Sequence, residues 1–143
     1  MAFTIPETIP ARPGAATAGE RKVFVALRDH LPEDYLVYYD ISVKGRHPDF
    51  IIVGPDMGLV VLEVKDWRLE SIAAVTGDGV VLRQAAGERT VENPIRQARE
   101  YVLKVVDALK SRSLLFDGQK LRCGWGYGVI FPLLKKKDVE TPS

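Results

Sequence analysis

The sequence predicts a single α/β domain built around a mixed central β-sheet that is flanked by helices. Its 143 residues, 46% of them apolar, fit one domain with a substantial core. The apolar pattern has helical spacing first, then three or more short runs, then a second helical stretch and a last short run. This succession predicts the element order α-β-β-β-α-β.

Composition narrows the setting of the protein without indicating its function. No run approaches the roughly 18 apolar residues of a membrane span, and the N-terminus lacks a signal-peptide pattern. A single cysteine, Cys123, excludes an internal disulfide framework, and we expect it to be a buried small residue. A net charge of +1 does not by itself indicate nucleic acid. We expect a cytoplasmic protein with no membrane partner.

The first part of the chain predicts an irregular arm, a helix and a strand. Residues 1–18 contain three prolines and no period, so they are interpreted as the arm. Residues 19–31 place apolar side chains on one helical face, and Pro32 ends that helix. Residues 35–42 are rich in aromatic and β-branched side chains, which favours a strand.

Two hairpins, a helix and a strand are predicted next. Apolar runs at 49–53 and 59–65 flank the turn residues 54–58, and 71–76 faces 80–83 across a second turn. Asn93 is the expected N-cap of a long helix with Pro94 at its first position. A strand follows at 127–131. We expect the domain to span 19–132 and 133–143 to be a solvated tail.

The first hairpin brings two carboxylates together if its turn is centred on Asp56. Gly54 then faces Gly58 and Asp49 faces Glu63, with Cβ atoms about 5 Å apart. Lys65 projects from the same face, because side chains alternate along a strand. A register shift of one residue would break the pair.

This cluster favours a metal, although a simpler interpretation remains open. The two strands are otherwise apolar on both faces, and buried charges that lack partners are costly. Two adjacent carboxylates repel unless a cation lies between them, and Mg²⁺ takes such oxygen ligands. A lysine beside that ion can assist a metal-activated water. The alternative is a solvated strand end with a salt bridge.

The same residues resemble a known family. Asp49 followed by Glu63-Val64-Lys65 resembles the PD-(D/E)XK nuclease signature. Further similar segments stand in order along about 19–131: Gly19-Glu20-Arg21, Leu31-Pro32, Leu62–Trp67 and Asn93–Gln97. This ordered set resembles the nuclease-related domain, or NERD, which implies a restriction-endonuclease-like core. Residues 123–132 also resemble the segment where such domains join a UvrD/Rep-type helicase, so the tail is a candidate linker to it.

The resemblance implies a role for each matching residue. Asp49 and Glu63 match the metal-binding carboxylates, the Val64 carbonyl matches the backbone ligand, and Lys65 matches the catalytic lysine. Glu20 matches an acidic residue that reaches the metal or orients its water; an acid in the first turn of a helix is also favoured by the helix dipole alone. Gln97 and Tyr101 match a pattern that places DNA, although Gln97 also fits an ordinary helix surface.

Charge alone suggests further DNA contacts. The candidates for a phosphate-facing rim are Lys44, Arg46, Arg68, Arg96 and Arg99, and a merely solvated surface is the alternative.

Three functions remain open at this point. The first is a Mg²⁺-dependent (or Mn²⁺-dependent) deoxyribonuclease in DNA processing or repair, acting with a UvrD/Rep-type helicase in the same chain or in trans. The second is a module that binds DNA or docks a helicase without cutting. The third is self-association. Retention of Glu20, Asp49, Glu63 and Lys65 together favours the first.

Overall fold

The computed structural model describes residues 1–77, 79–109, 116–117, 120–121 and 124–135. Within these residues the chain forms helices α1 (Ala18–His30) and α2 (Pro94–Leu109), one 3-10 turn (Leu69–Ser71) and ten strands. The strands are β1 (Phe3–Ile5), β2 (Leu36–Tyr39), β3 (Phe50–Gly54), β4 (Gly58–Val64), β5 (Ile72–Thr76), β6 (Gly79–Gln84), β7 (Gly87–Val91), β8 (Phe116–Asp117), β9 (Lys120–Leu121) and β10 (Trp125–Ile130).

Five strands form the main sheet, in the order β1-β2-β3-β4-β10. β2, β3 and β4 pair antiparallel, whereas β1 pairs parallel with β2 and β10 pairs parallel with β4. Helix α2 lies in the crossover that connects the parallel strands β4 and β10, as such a connection requires. The predicted mixed α/β architecture is confirmed.

The two helices cover opposite faces of this sheet. Phe24 of α1 packs in one core cluster with Phe50, which is fully buried. Val102 of α2 packs in a second cluster with Val61. Because side chains alternate along β3 and β4, these strands are apolar on both sides and the charged residues at their ends lie beside two hydrophobic cores.

The β3–β4 hairpin has the predicted register. Gly54 pairs with Gly58 and Ile51 pairs with Val61. Gly58 adopts a φ of +79°, and a Cβ atom there would overlap the carbonyl oxygen of Gly124. The turn therefore requires glycine at position 58, and this requirement sets the pairing of every residue beyond it.

The helix ends also follow the sequence. Thr17 caps α1, and Leu31 before Pro32 lies just beyond its last residue. The Asn93 side chain accepts a hydrogen bond from the Ile95 amide at 2.9 Å, which confirms the predicted start of α2. Ile95, in the first turn of α2, is 56% exposed.

Four strands were not predicted, namely β1, β7 and the short pair β8 and β9. The interpretation of residues 1–18 as irregular throughout is wrong for β1, which adds to the edge of the main sheet and brings Ala2 into the core. β7 extends the predicted second hairpin into the three-stranded sheet β5-β6-β7. Its residues, Gly87–Val91, are mostly polar and exposed, so backbone pairing with β6 and not burial defines this strand.

Some expectations lie outside the described residues, namely those for Cys123 and for 136–143. In the part of the chain that is described, no helix is both long and apolar enough to cross a membrane.

Candidate active site

Asp49 and Glu63 lie side by side at one end of the main sheet. Asp49 directly precedes β3, and Glu63 is the next residue along β4 after the Phe50–Leu62 pair. The Asp49 amide donates to Glu63 Oε1 at 3.1 Å, and the Val64 amide donates to Asp49 Oδ2 at 2.8 Å. Each carboxylate is thus fixed by a backbone group of the opposite strand, as the hairpin register predicts.

Burial and charge act together on this pair. Glu63 is only 3% exposed. Burial raises the pKa of Glu63 to about 8, and the neighbouring negative charge of Asp49 acts in the same direction, while Lys65 opposes the rise. The metal-free pair therefore holds a proton at neutral pH, since two adjacent carboxylates resist ionising together.

Glu20 approaches the pair from the first turn of α1. Its Oε1 accepts hydrogen bonds from the Thr17 amide at 3.0 Å and from the Tyr39 hydroxyl at 3.1 Å. Burial raises the pKa of Glu20 and so does the charge of Asp49, against the lowering effect of the Thr17 and Tyr39 hydrogen bonds. The structure therefore brings Glu20 into the electrostatic field of Asp49.

Tyr39 was placed in a strand by the sequence but not in the site. It is buried on β2, where it pairs with Phe50, the residue after Asp49. Burial raises its pKa and the negative charge of Glu20 raises it further, so the phenol stays a hydrogen-bond donor. The pattern of β2 contains no signal for this role, because it depends on a contact with a helix 19 residues away.

Lys65 follows β4 and is half-buried. Its amide donates to the Ile130 carbonyl of β10 at 3.0 Å, which continues the parallel pairing past the end of the strand. Its positive charge acts on Glu63. The placement of Lys65 on the same face as both carboxylates stays a prediction.

Gln97 and Tyr101 lie on the opposite side of the pair from Glu20, on α2. The Gln97 Nε2 donates to the Tyr101 hydroxyl at 2.9 Å, so the two residues share one helix face as expected. Burial raises the pKa of Tyr101, the charges of Glu63 and Asp49 also raise it, and Gln97 and Arg46 lower it.

Lys44 and Arg46 belong to a tight turn beside α2. Val43 and Arg46 exchange backbone hydrogen bonds, and Lys44 and Gly45 both have positive φ, as in a type I′ turn. The two side chains interact with different residues. Lys44 forms an ion pair with Asp107, whereas the charge of Arg46 acts on Tyr101. The adjoining groove of about 510 Å³ mixes both signs of charge. It is lined by Arg46, Glu100, Leu103, Lys104, Val106 and Asp107.

The carboxylate pair suits a hard divalent cation that keeps several waters. Among the described residues, no group of three His, Cys, Asp or Glu side chains is arranged to hold a metal. Mg²⁺, however, is commonly held by one or two carboxylates, with waters and substrate phosphate completing its shell. Asp49 and Glu63 meet that requirement, because each supplies carboxylate oxygens and each carboxylate is held by a backbone hydrogen bond from the opposite strand.

Comparison with models of known protein families gave a match. The family model described as the nuclease-related domain matches residues 15–129, which cover α1, the main sheet from β2 to nearly the end of β10, and α2. Searches of curated proteins and of solved structures returned no significant match.

Proposed function

The chain belongs to the nuclease-related domain family, and we propose that it is a divalent-metal-dependent deoxyribonuclease acting in DNA processing or repair. The observation that most supports this activity is the Asp49–Glu63 pair, cross-linked by backbone hydrogen bonds at the end of a sheet that is otherwise apolar. A buried carboxylate beside a half-buried one is costly without a cation, and the arrangement is explained if the pair holds one.

The proposed ligand set consists of oxygen atoms. Asp49 and Glu63 would supply carboxylates, Val64 its carbonyl and Glu20 a further carboxylate, in reach of Mg²⁺ or Mn²⁺ directly or through water. Such an ion, when bound, lowers the pKa of a water ligand and offsets charge on the scissile phosphate. Glu63 must release its proton to serve as a ligand, so binding is favoured by rising pH.

The remaining residues would orient the reactants. Lys65, whose charge acts on Glu63, would donate a hydrogen bond to the attacking water or hold a phosphate oxygen. Glu20 is held in one orientation by Thr17 and Tyr39, so it would accept a hydrogen bond from that water. Gln97 and Tyr101 border the pair on the α2 side and would contact the DNA backbone.

DNA delivery is proposed to depend on a partner. Lys44 and Arg46 are proposed phosphate contacts, but Lys44 is paired with Asp107 and the nearby groove is not basic. With a net charge of +1 the domain lacks a strong phosphate-binding field. A UvrD/Rep-type helicase module, in the same chain or in trans, would bring the substrate to the site in the cytoplasm.

The test is cleavage by the purified protein with Mg²⁺ or Mn²⁺ on single-stranded, double-stranded and branched DNA. We expect cleavage by the wild type and a loss of about 10³-fold or more in Lys65→Ala with the circular dichroism spectrum unchanged. Lys22→Ala removes an exposed lysine of α1 and should cleave like the wild type. A wild type and a Lys65→Ala variant that are equally inert on all three substrates would contradict the proposal.

A non-cleaving module that binds DNA or docks a helicase is the second candidate. The mixed charge of the groove beside Arg46 favours it, since weak phosphate attraction suits a docking role as well as a delivered nuclease. The two candidates separate in the same experiment, because a docking module would leave all three DNA substrates intact with and without Lys65 and divalent metal.

A further inference from the structure

Asp66 joins the end of β4 to the start of α1. Its Oδ1 accepts a hydrogen bond from the Thr17 hydroxyl at 2.9 Å, and its Oδ2 accepts one from the Gly19 amide at 2.8 Å. Both donors belong to the N-terminal cap of α1, 47 and 49 residues earlier in the chain. A carboxylate there also suits the positive end of the helix dipole. One side chain thus fixes a helix terminus to the strand that carries Glu63.

The same hydrogen bonds continue to Glu20. The Thr17 hydroxyl that donates to Asp66 accepts from the Glu20 amide at 3.1 Å. The Glu20 carboxylate in turn accepts from the Thr17 amide at 3.0 Å, which closes a capping box, and from the Tyr39 hydroxyl. Asp66, Thr17 and Glu20 therefore form one connected chain of hydrogen bonds.

The close approach of Gly19 shows how tightly this junction is packed. Gly19 is buried, and a Cβ atom there would overlap the Asp66 carboxylate and lie 2.7 Å from Pro132 Cγ. No larger residue fits while Asp66 accepts from the amide. The junction therefore sets the distance between α1 and β4 within narrow limits.

We propose that Asp66 is a positioning residue of the site, which acts through Thr17 and Gly19 to hold Glu20 beside Asp49. The use of this Glu20 position in metal binding rests on the proposed function, whereas the hydrogen-bonded junction itself does not. Asp66 would be a helix cap of ordinary structural value if Glu20 kept its place without it. The two readings differ in how Asp66 and Glu20 depend on each other.

Asp66→Asn tests this with two measurements that do not need DNA. The amide group can accept from one donor but turns an NH₂ toward the other. We expect hydrogen exchange of the Gly19 and Glu20 amides, followed by NMR, to rise about tenfold. We expect Mn²⁺ affinity, measured by calorimetry, to fall about tenfold or more, as for other residues that orient metal ligands.

A second pair of variants tests the same proposal if Asp66→Asn folds poorly. Thr17→Val removes the hydroxyl that joins Asp66 to Glu20, and Thr17→Ser retains it. Thr17→Val should weaken Mn²⁺ binding like Asp66→Asn, while Thr17→Ser should restore wild-type affinity. Asp29→Asn makes the same chemical change at an exposed position of α1, and Val80→Ala destabilises the second sheet. Neither should alter Mn²⁺ affinity.

The combination with Glu20→Gln decides between positioning and capping. If Asp66 acts through Glu20, the Asp66→Asn, Glu20→Gln double variant binds Mn²⁺ no more weakly than Glu20→Gln alone. Fully additive losses, or an Asp66→Asn variant with wild-type Mn²⁺ affinity, overturn the positioning role. A wild type that binds Mn²⁺ but cleaves no DNA overturns only the proposed function, and one that binds no Mn²⁺ overturns both.

Discussion

The two larger sheets use charge in opposite ways. In the main sheet, β3 and β4 are apolar on both faces, with Phe50 and Val61 fully buried, and the carboxylate of Glu63 lies among them with only 3% exposure. In the second sheet, Val80 and Leu82 are buried, while β7 and the end of β5 face solvent. An acid such as Glu88 on β7 is simply hydrated. Position within a sheet, more than residue type, makes Glu63 a candidate functional group.

The largest expected difference between the sheets is in stability. Phe50→Ala should lower the free energy of unfolding by about 3–5 kcal/mol, because it leaves a cavity between β3 and α1. Val75→Ala in β5 should change it by less than about 0.5 kcal/mol, because that side chain is 71% exposed. Urea denaturation followed by circular dichroism measures both. Equal losses of unfolding free energy would show that the exposed Val75 side chain stabilises the protein as much as the buried Phe50 side chain does.

The sequence predicts the main sheet well because local rules determine it. Gly58 sets the turn, the turn sets the register, and the register places Asp49 against Glu63. β1 is missed because its three residues become a strand only through pairing with β2, a contact more than 30 residues away. β7 is missed because it buries little that a pattern could reveal.

The residues of the candidate site also fall into two groups, those that the sequence predicts and those that it does not. Its carboxylate pair follows from the hairpin and the family resemblance, whereas its supporting residues do not. Tyr39 and Asp66 act through hydrogen bonds to α1 that span 19 and 47 to 49 residues. Such contacts are set by how α1 packs on the sheet, and a single sequence holds no period or spacing that predicts them.

A smaller difference concerns the pH dependence of the two sheets. The folded-state pKa of Glu63 is raised from 4.5 to about 8 by burial and by Asp49. The metal-free protein therefore keeps the stabilising contribution of protonated Glu63 below pH 4.5 and loses it as the pH rises toward and through 8. Glu63→Gln cannot ionise, and its amide can still donate to Asp49. This variant should be more stable than the wild type at pH 8.5 and nearly equal to it at pH 4.5.

Glu88→Gln is the matched control on β7 and should follow the wild type at both pH values, because Glu88 is exposed. Urea denaturation without metal measures the effect. Added Mn²⁺ should stabilise the wild type at pH 8.5 more than Glu63→Gln, by preferential binding to the folded state. A Glu63→Gln variant that is less stable than the wild type at pH 8.5 would contradict the inference that burial in the main sheet disfavours the ionised form of Glu63.

The smallest expected effect is local opening of the second sheet. The Arg83 guanidinium of β6 donates to the carbonyl oxygens of Glu70 and Ile72 at 2.9 and 3.2 Å, so it joins β6 to the turn before β5. Both hydrogen bonds are exposed, so Arg83→Ala should lower global stability by about 0.5–1 kcal/mol at most. Because few buried side chains hold β5, that loss should appear as faster hydrogen exchange there, while Ile51 and Val61 of the main sheet keep wild-type rates. Uniformly faster exchange across both sheets would instead mean that they unfold as one cooperative unit, so that the weakly buried sheet supports the strands carrying Asp49 and Glu63.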